Sequence, residues 1–107
     1  MDNLRNMLSA KAVALIGATE KEGAIGRTIL ENLLRSKEAK VYPVNPNRKK
    51  VLGVDAYQNV AGIPEHVDLA IIATPAHTVP RVVEECGKAG VDGVVIISAG
   101  FKEIGEE

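Results

Sequence analysis

Between Ala12 and Arg27 the sequence runs Ala-Val-Ala-Leu-Ile-Gly17-Ala18-Thr19-Glu20-Lys21-Glu22-Gly23-Ala24-Ile25-Gly26-Arg27, an apolar strand that passes through a glycine-bearing loop into a helix. That order builds an anion cradle from backbone. Gly17 allows a sharp turn, and the helix opening near Ile25 directs unpaired N–H groups and the positive end of its dipole at the loop. Gly17, Gly23 and Gly26, with Ala18, Thr19 and Lys21 between them, are therefore candidate contacts to a phosphate, because the glycines let backbone come close to a ligand. The spacing Gly17-x5-Gly23-x2-Gly26 departs from the G-x-G-x-x-G of dinucleotide enzymes, and no Gly-Lys-Ser/Thr follows as in an ATPase P-loop. A tight turn with no ligand stays open on this spacing alone.

A second strand, Lys40 to Asn45, leads into Asn45-Pro46-Asn47-Arg48-Lys49-Lys50. A nicotinamide site usually ends this strand with an acidic residue for the ribose hydroxyls. Three cations in its place suit a ribose that carries a phosphate, as in coenzyme A or NADP. Asn45, Pro46, Arg48 and Lys49 are the candidates here, against the alternative of a solvated basic loop. Two further strand exits, Thr74-Pro75-Ala76-His77 and Ser98-Ala99-Gly100, each offer a hydroxyl beside a bend or close backbone.

Catalytic pairings are not evident. His77 has no carboxylate at triad spacing, His66 reads as surface, and Cys86 falls on the apolar side of a helix as an inert thiol. No His, Cys or carboxylate set has metal-ligand spacing along the chain.

The elements that position these exits alternate. Strands are expected at Ala12–Gly17, Lys40–Asn45, Asp68–Ala73 and Gly93–Ser98, and helices at Ile25–Ser36 and about Thr78–Ala89, with a short amphipathic helix over Asp2–Ala10. Residues 47–58 lack a clean period, and 59–65 hold one or two helical turns at most. Continuous apolar strands alternating with helices predict an α/β fold, a Rossmann-like doubly wound parallel sheet. The common order 3-2-1-4 would set the fourth strand beside the first and Ser98–Gly100 beside the glycine loop. In such a sheet the ligand lies at the carboxyl ends of the strands, where every unusual residue falls.

The 107 residues suffice for one domain, expected over 1–107. A net charge of −1 supplies no general pull toward nucleic acid or membrane, 3% aromatics leave no base-stacking platform, and no apolar run approaches a membrane span. One cysteine and no charged-then-apolar leader point to a cytoplasmic setting. The pattern stops where a further helix is expected over the sheet, so a fragment of a longer chain, or a partner over the exposed edge, is expected.

Val13-Ala-Leu-Ile-Gly-Ala-Thr19 with Gly26-Arg27, Val41-Tyr-Pro-Val-Asn-Pro46, Gly53-x3-Tyr57, Asp68-Leu-Ala-Ile-Ile-Ala-Thr-Pro75 and Ile97-Ser-Ala-Gly-Phe101 together resemble the N-terminal CoA-binding domain of ADP-forming acyl-CoA synthetases. The same domain type opens the α subunit of succinyl-CoA synthetase. The resemblance implies a Rossmann-like domain that holds coenzyme A, with the Gly17–Gly23 loop at the phosphates, Arg48 near the adenosine phosphate, and Thr74–Ala76 with Ile97, Ser98 and Ala99 along the pantetheine. It also implies a parent enzyme that converts acyl-CoA, ADP and phosphate to acid, ATP and CoA through a phosphohistidine in a later domain. Neither His66 nor His77 matches that histidine, so the chain alone is expected to bind CoA without catalysis, its partners being the remaining synthetase domains or a second subunit. An NADP-binding oxidoreductase domain and a non-catalytic acyl-CoA sensor are the alternatives.

Overall fold

A computed structural model describes residues 11–97. The expected helix over Asp2–Ala10 and the exit residues Ser98 and Ala99 lie outside the described residues. In chain order the elements are β1 (Ala12–Ile16), α1 (Ile25–Ser36), β2 (Lys40–Val44), β3 (Lys50–Val51), β4 (Val54–Asp55), a 3-10 turn at Val60–Gly62, β5 (Leu69–Ile72), a 3-10 turn at Ala76–Thr78, α2 (Val79–Lys88) and β6 (Gly93–Ile96).

All five residues of β1 are apolar and buried, which makes it an inner strand. Parallel pairing puts β2 on one side and β5 on the other, with β6 beyond β5. Side chains alternate across the sheet. Leu15 meets Leu30 of α1 and Val51 on one face, while Ala14, Ile16, Ala70 and Ile72 meet Val82 and Cys86 of α2 on the other. The helices thus cover opposite faces, and the α/β doubly wound architecture is as the sequence predicts. The Cys86 thiol is buried in the α2-side core, and that burial pushes its pKa up.

The strand order differs from the expected one. β5, the third strand read from sequence, lies beside β1, and the fourth, β6, lies beyond it, giving β2-β1-β5-β6. Crossovers through α1 and α2 lie on opposite faces and each carries the chain outward from the β1–β5 pair, as right-handed connections require. The chain from β2 to β5 contributes no further inner strand, so β5 returns to the open side of β1. It instead forms the β3–β4 hairpin, whose turn residues Leu52 (φ 51°) and Gly53 (φ 79°) are both left-handed. Tyr57 then bridges the outer edge of β2: its N–H donates to Pro43 O at 2.9 Å and its carbonyl accepts from Asn45 N at 2.8 Å. Pro43 is tolerated because its missing donor faces that edge, not β1.

At the amino edge, Asp68 fastens the return. Its Oδ2 accepts from Lys11 N and Ala12 N, both at 2.9 Å, and these two bonds hold the carboxyl below its usual range. Border strand β6 is less covered than its apolar run implied, with Ile96 51% exposed and Val94 37%. Among the described residues no helix is long and apolar enough to cross a membrane.

Candidate functional site

The β1–β5 pair is where the chain's crossovers diverge, and an open α/β sheet leaves a crevice at the carboxyl end of such a pair. Gly17 leaves β1 there with φ +100°, and a Cβ on it would lie 2.8 Å from Ala73 O at the exit of β5. The first turn of α1 closes on the same residue: a Cβ on Gly26 would run into the Gly17 carbonyl oxygen. Two glycines therefore let β1, β5 and the head of α1 touch through backbone alone.

The loop's polar groups are arranged around this contact. Gly17 N donates to Val44 O at 3.2 Å, Lys21 N to Thr19 Oγ1 at 3.1 Å, and Ala24 N to Lys21 O at 3.2 Å. Among the described residues no protein bond takes up the N–H groups of Ala18 and Thr19, although Ala18 is only 1% exposed. No side chain caps α1, so its first N–H groups are left free of a side-chain acceptor.

Asn45 holds the neighbouring exit in place. Its Nδ2 donates to Ala18 O at 2.9 Å and its Oδ1 accepts from Asn47 N at 2.8 Å, so one amide ties the ends of β1 and β2. On the other side the Thr78 hydroxyl lies 2.7 Å from both Thr74 Oγ1 and Pro75 O, fixing the turn that leads into α2.

A cleft of about 490 Å³ opens between these exits. Of the residues singled out in the sequence, Gly17, Ala18, Thr19, Asn45, Pro46, Thr74 and Pro75 line it. Lys21, Gly23, Gly26, Arg48, Lys49, Ala76 and Ile97 do not, although Gly26 braces the loop from behind. Ser98 and Ala99 fall outside the described residues. With β5 beside β1, it is the Thr74 exit and not the Ser98 exit that flanks the glycine loop.

The cleft's other wall, which the sequence did not single out, includes Gln58, Asn59, Thr78, Arg81 and Glu85. Thr78, just before α2, and Arg81 and Glu85 on it are spaced three and four apart, one polar stripe starting from the β5 exit, and that spacing was the available signal. Asn59 is held by its own turn, its Oδ1 accepting from Gly62 N at 3.0 Å.

Glu20 connects the glycine loop to the basic loop. Its carboxylate accepts from Leu52 N at 2.7 Å and pairs with Arg48 Nη2 at 3.1 Å, while its backbone carbonyl accepts from Arg27 Nη1 at 2.6 Å. Arg48 is therefore committed to a carboxylate as well as to Lys50 O at 3.3 Å.

Far from the cleft, the fold assembles a group that linear spacing did not reveal: His66, Asp68 and Asp92 gather within 4.8 Å at the amino edge. Their bonds are structural, Asp68 to the start of β1 and His66 Nε2 to Asp92 Oδ2 at 2.9 Å. The Asp92 carboxylate raises the His66 pKa above its usual value by accepting that hydrogen bond and by its charge.

The family model described as CoA binding domain matches residues 11–104. The chain is 51% identical over 104 residues to the ADP-forming acetate–CoA ligase I of Archaeoglobus fulgidus, a match covering 97% of this chain and 15% of that relative. It is 44% identical to the α subunit of ADP-forming acetate–CoA ligase I of Pyrococcus furiosus, covering 98% of this chain and 24% of the relative. Among solved structures, the dinucleotide-forming acetyl-coenzyme A synthetase 1 of Ca. Korarchaeum cryptofilum, in complex with phosphate and ADP, superposes with a TM-score of 0.85 at 41% identity, covering 100% of this chain and 23% of that one. The chain thus spans 15–24% of the length of these relatives. With this match across nearly its whole length, the chain belongs to the CoA-binding domain family.

Proposed function

We propose that this chain is the single CoA-binding module of an ADP-forming acid–CoA ligase, and that it holds CoA in the cleft between Gly17 and α2 without chemistry of its own. The observation that carries this reading is the pair of unbonded Ala18 and Thr19 amides, set beside an uncapped helix head. That is a site for a diphosphate, which needs several N–H donors converging on its oxygens. The loop Gly17–Thr19 takes the CoA diphosphate, with Asn45 and Pro46 shaping the turn beneath it. Lys21, Arg48 and Lys49 stand outside the cleft lining, and their charge suits the ribose 3′-phosphate. Thr74, Pro75 and Ala76, with Ile97, Ser98 and Ala99, form the route for the pantetheine toward the remaining synthetase domains or a partner subunit. CoA is here a substrate delivered to chemistry elsewhere, and a reducing cytoplasm suits its thiol.

Calorimetric titration of CoA, dephospho-CoA, acetyl-CoA and NADP into the chain tests this. CoA and acetyl-CoA are expected to bind, and NADP is not. Binding of NADP with none of CoA would overturn the reading in favour of an oxidoreductase domain.

A further inference from the structure

Four arginines lie among the described residues, at positions 27, 35, 48 and 81. Three are engaged with protein: Arg27 with Glu31 and Glu20 O, Arg35 with Asn32, and Arg48 with Glu20 and Lys50 O. Arg81 has no hydrogen-bond or ion-pair partner among the described residues, and it lines the same cleft as Gly17, Ala18 and Thr19. Its neighbour one turn on, Glu85, does not neutralise it. A cation four residues before a carboxylate is the less favourable order on a helix, and no pair forms. Glu85 also lines an adjoining hollow of about 240 Å³ with Asn59, Ala61 and Lys88, so it lies further from the glycine loop. The α2 wall is thus graded, a free guanidinium toward the carboxyl edge of the sheet and a carboxylate away from it.

Resting on the CoA reading above, we propose that Arg81 is the cation that pairs with the diphosphate of the bound CoA, opposite the Ala18 and Thr19 amides. A diphosphate carries two negative charges, and backbone N–H groups alone leave them only partly balanced. A guanidinium can take two oxygens at once and adds both charge and direction. The role belongs to Arg81 and not to Arg48, because Arg81 lines the cleft with the Ala18 and Thr19 loop whereas Arg48 stands outside that lining. It also assigns the two phosphate groups of CoA to different parts of the chain: the diphosphate to the cleft and α2, the 3′-phosphate to the rim of Arg48 and Lys49.

The test is titration of CoA and dephospho-CoA into wild type, Arg81→Gln and Arg81→Lys, with thermal unfolding of each to confirm an unchanged fold. Arg81→Gln is expected to weaken both ligands alike, by about 10- to 100-fold, and Arg81→Lys to restore part of the loss. Equal affinity of Arg81→Gln and wild type for CoA would overturn this inference and leave the function reading standing. A loss confined to CoA would also overturn it, placing Arg81 at the 3′-phosphate. Failure of wild type to bind either ligand would instead remove the function reading, and this one with it.

Discussion

The two edges of the β1–β5 pair are closed in opposite ways. At the amino edge a side chain does the work: the Asp68 carboxylate occupies the space past the strand ends and takes the Lys11 and Ala12 amides. At the carboxyl edge side chains are kept out. Gly17 and Gly26 let three backbones meet, and the next amides, of Ala18 and Thr19, are left unbonded by protein beside a cleft. The same strand pair is thus sealed with charge at one end and held open with bare backbone at the other. The ligand site proposed above is thus an edge where the fold leaves its own donors unsatisfied.

This contrast predicts a steep asymmetry in tolerance. The largest effect is expected from Gly26→Ala, whose methyl would displace the Gly17 carbonyl and with it the loop, for about 3 kcal/mol of stability at the upper end of overpacking costs. Gly23→Ala is the control, since no atom lies within 4 Å of a Cβ there and only its φ of +84° is strained. Denaturant midpoints of the two variants measure the difference, and equal midpoints would show that the backbone contact does not hold the edge.

Asp68→Asn, at the other edge, keeps an acceptor but loses the charge, and about 1 kcal/mol is expected for a partly exposed site. Because Asp68 is held below its ordinary 3.8, its contribution is present above that pH and is lost as pH falls through the folded-state value. The wild type is therefore expected to lose stability below about pH 3.8 more steeply than the variant. Parallel acid-unfolding curves would refute the role given to the carboxylate.

The smallest effect concerns His66, which is read only as a pH dependence. Its pKa is raised above 6.5 by Asp92, so the contribution of this exposed pair is complete below 6.5 and fades as pH rises through the folded value. NMR titration is expected to give a His66 pKa that falls back toward 6.5 in Asp92→Asn. A titration unmoved by that substitution would show that the pair does not persist in solution.

How much of this was legible in the sequence follows from what each signal is made of. Apolar runs and their period located β1, β5 and α1, because burial on two faces or one stripe leaves a direct pattern in residue type. Helix α2 starts one residue later than expected because Ala76–Thr78 form a 3-10 turn and Pro80 falls in the first α-helical turn. Strand order was not legible: nothing in the period of β5 records on which side of β1 it lands. That single uncertainty moved Thr74 to the glycine loop in place of Ser98. The glycine loop and Asn45 were visible as residue types at strand exits. The spacing of Arg81 and Glu85 was visible in the sequence but not decisive, because a polar stripe on a surface helix looks the same whether it faces water or a cleft.

Tyr57 has a bearing on assembly. By taking Pro43 O and bonding Asn45 N, it occupies the outer margin of β2, where Pro43 in any case offers no donor. Lateral growth of the sheet on that side is blocked. Among the described residues, the margin of the sheet left without a paired segment is that of β6, so a further strand is directed to that side.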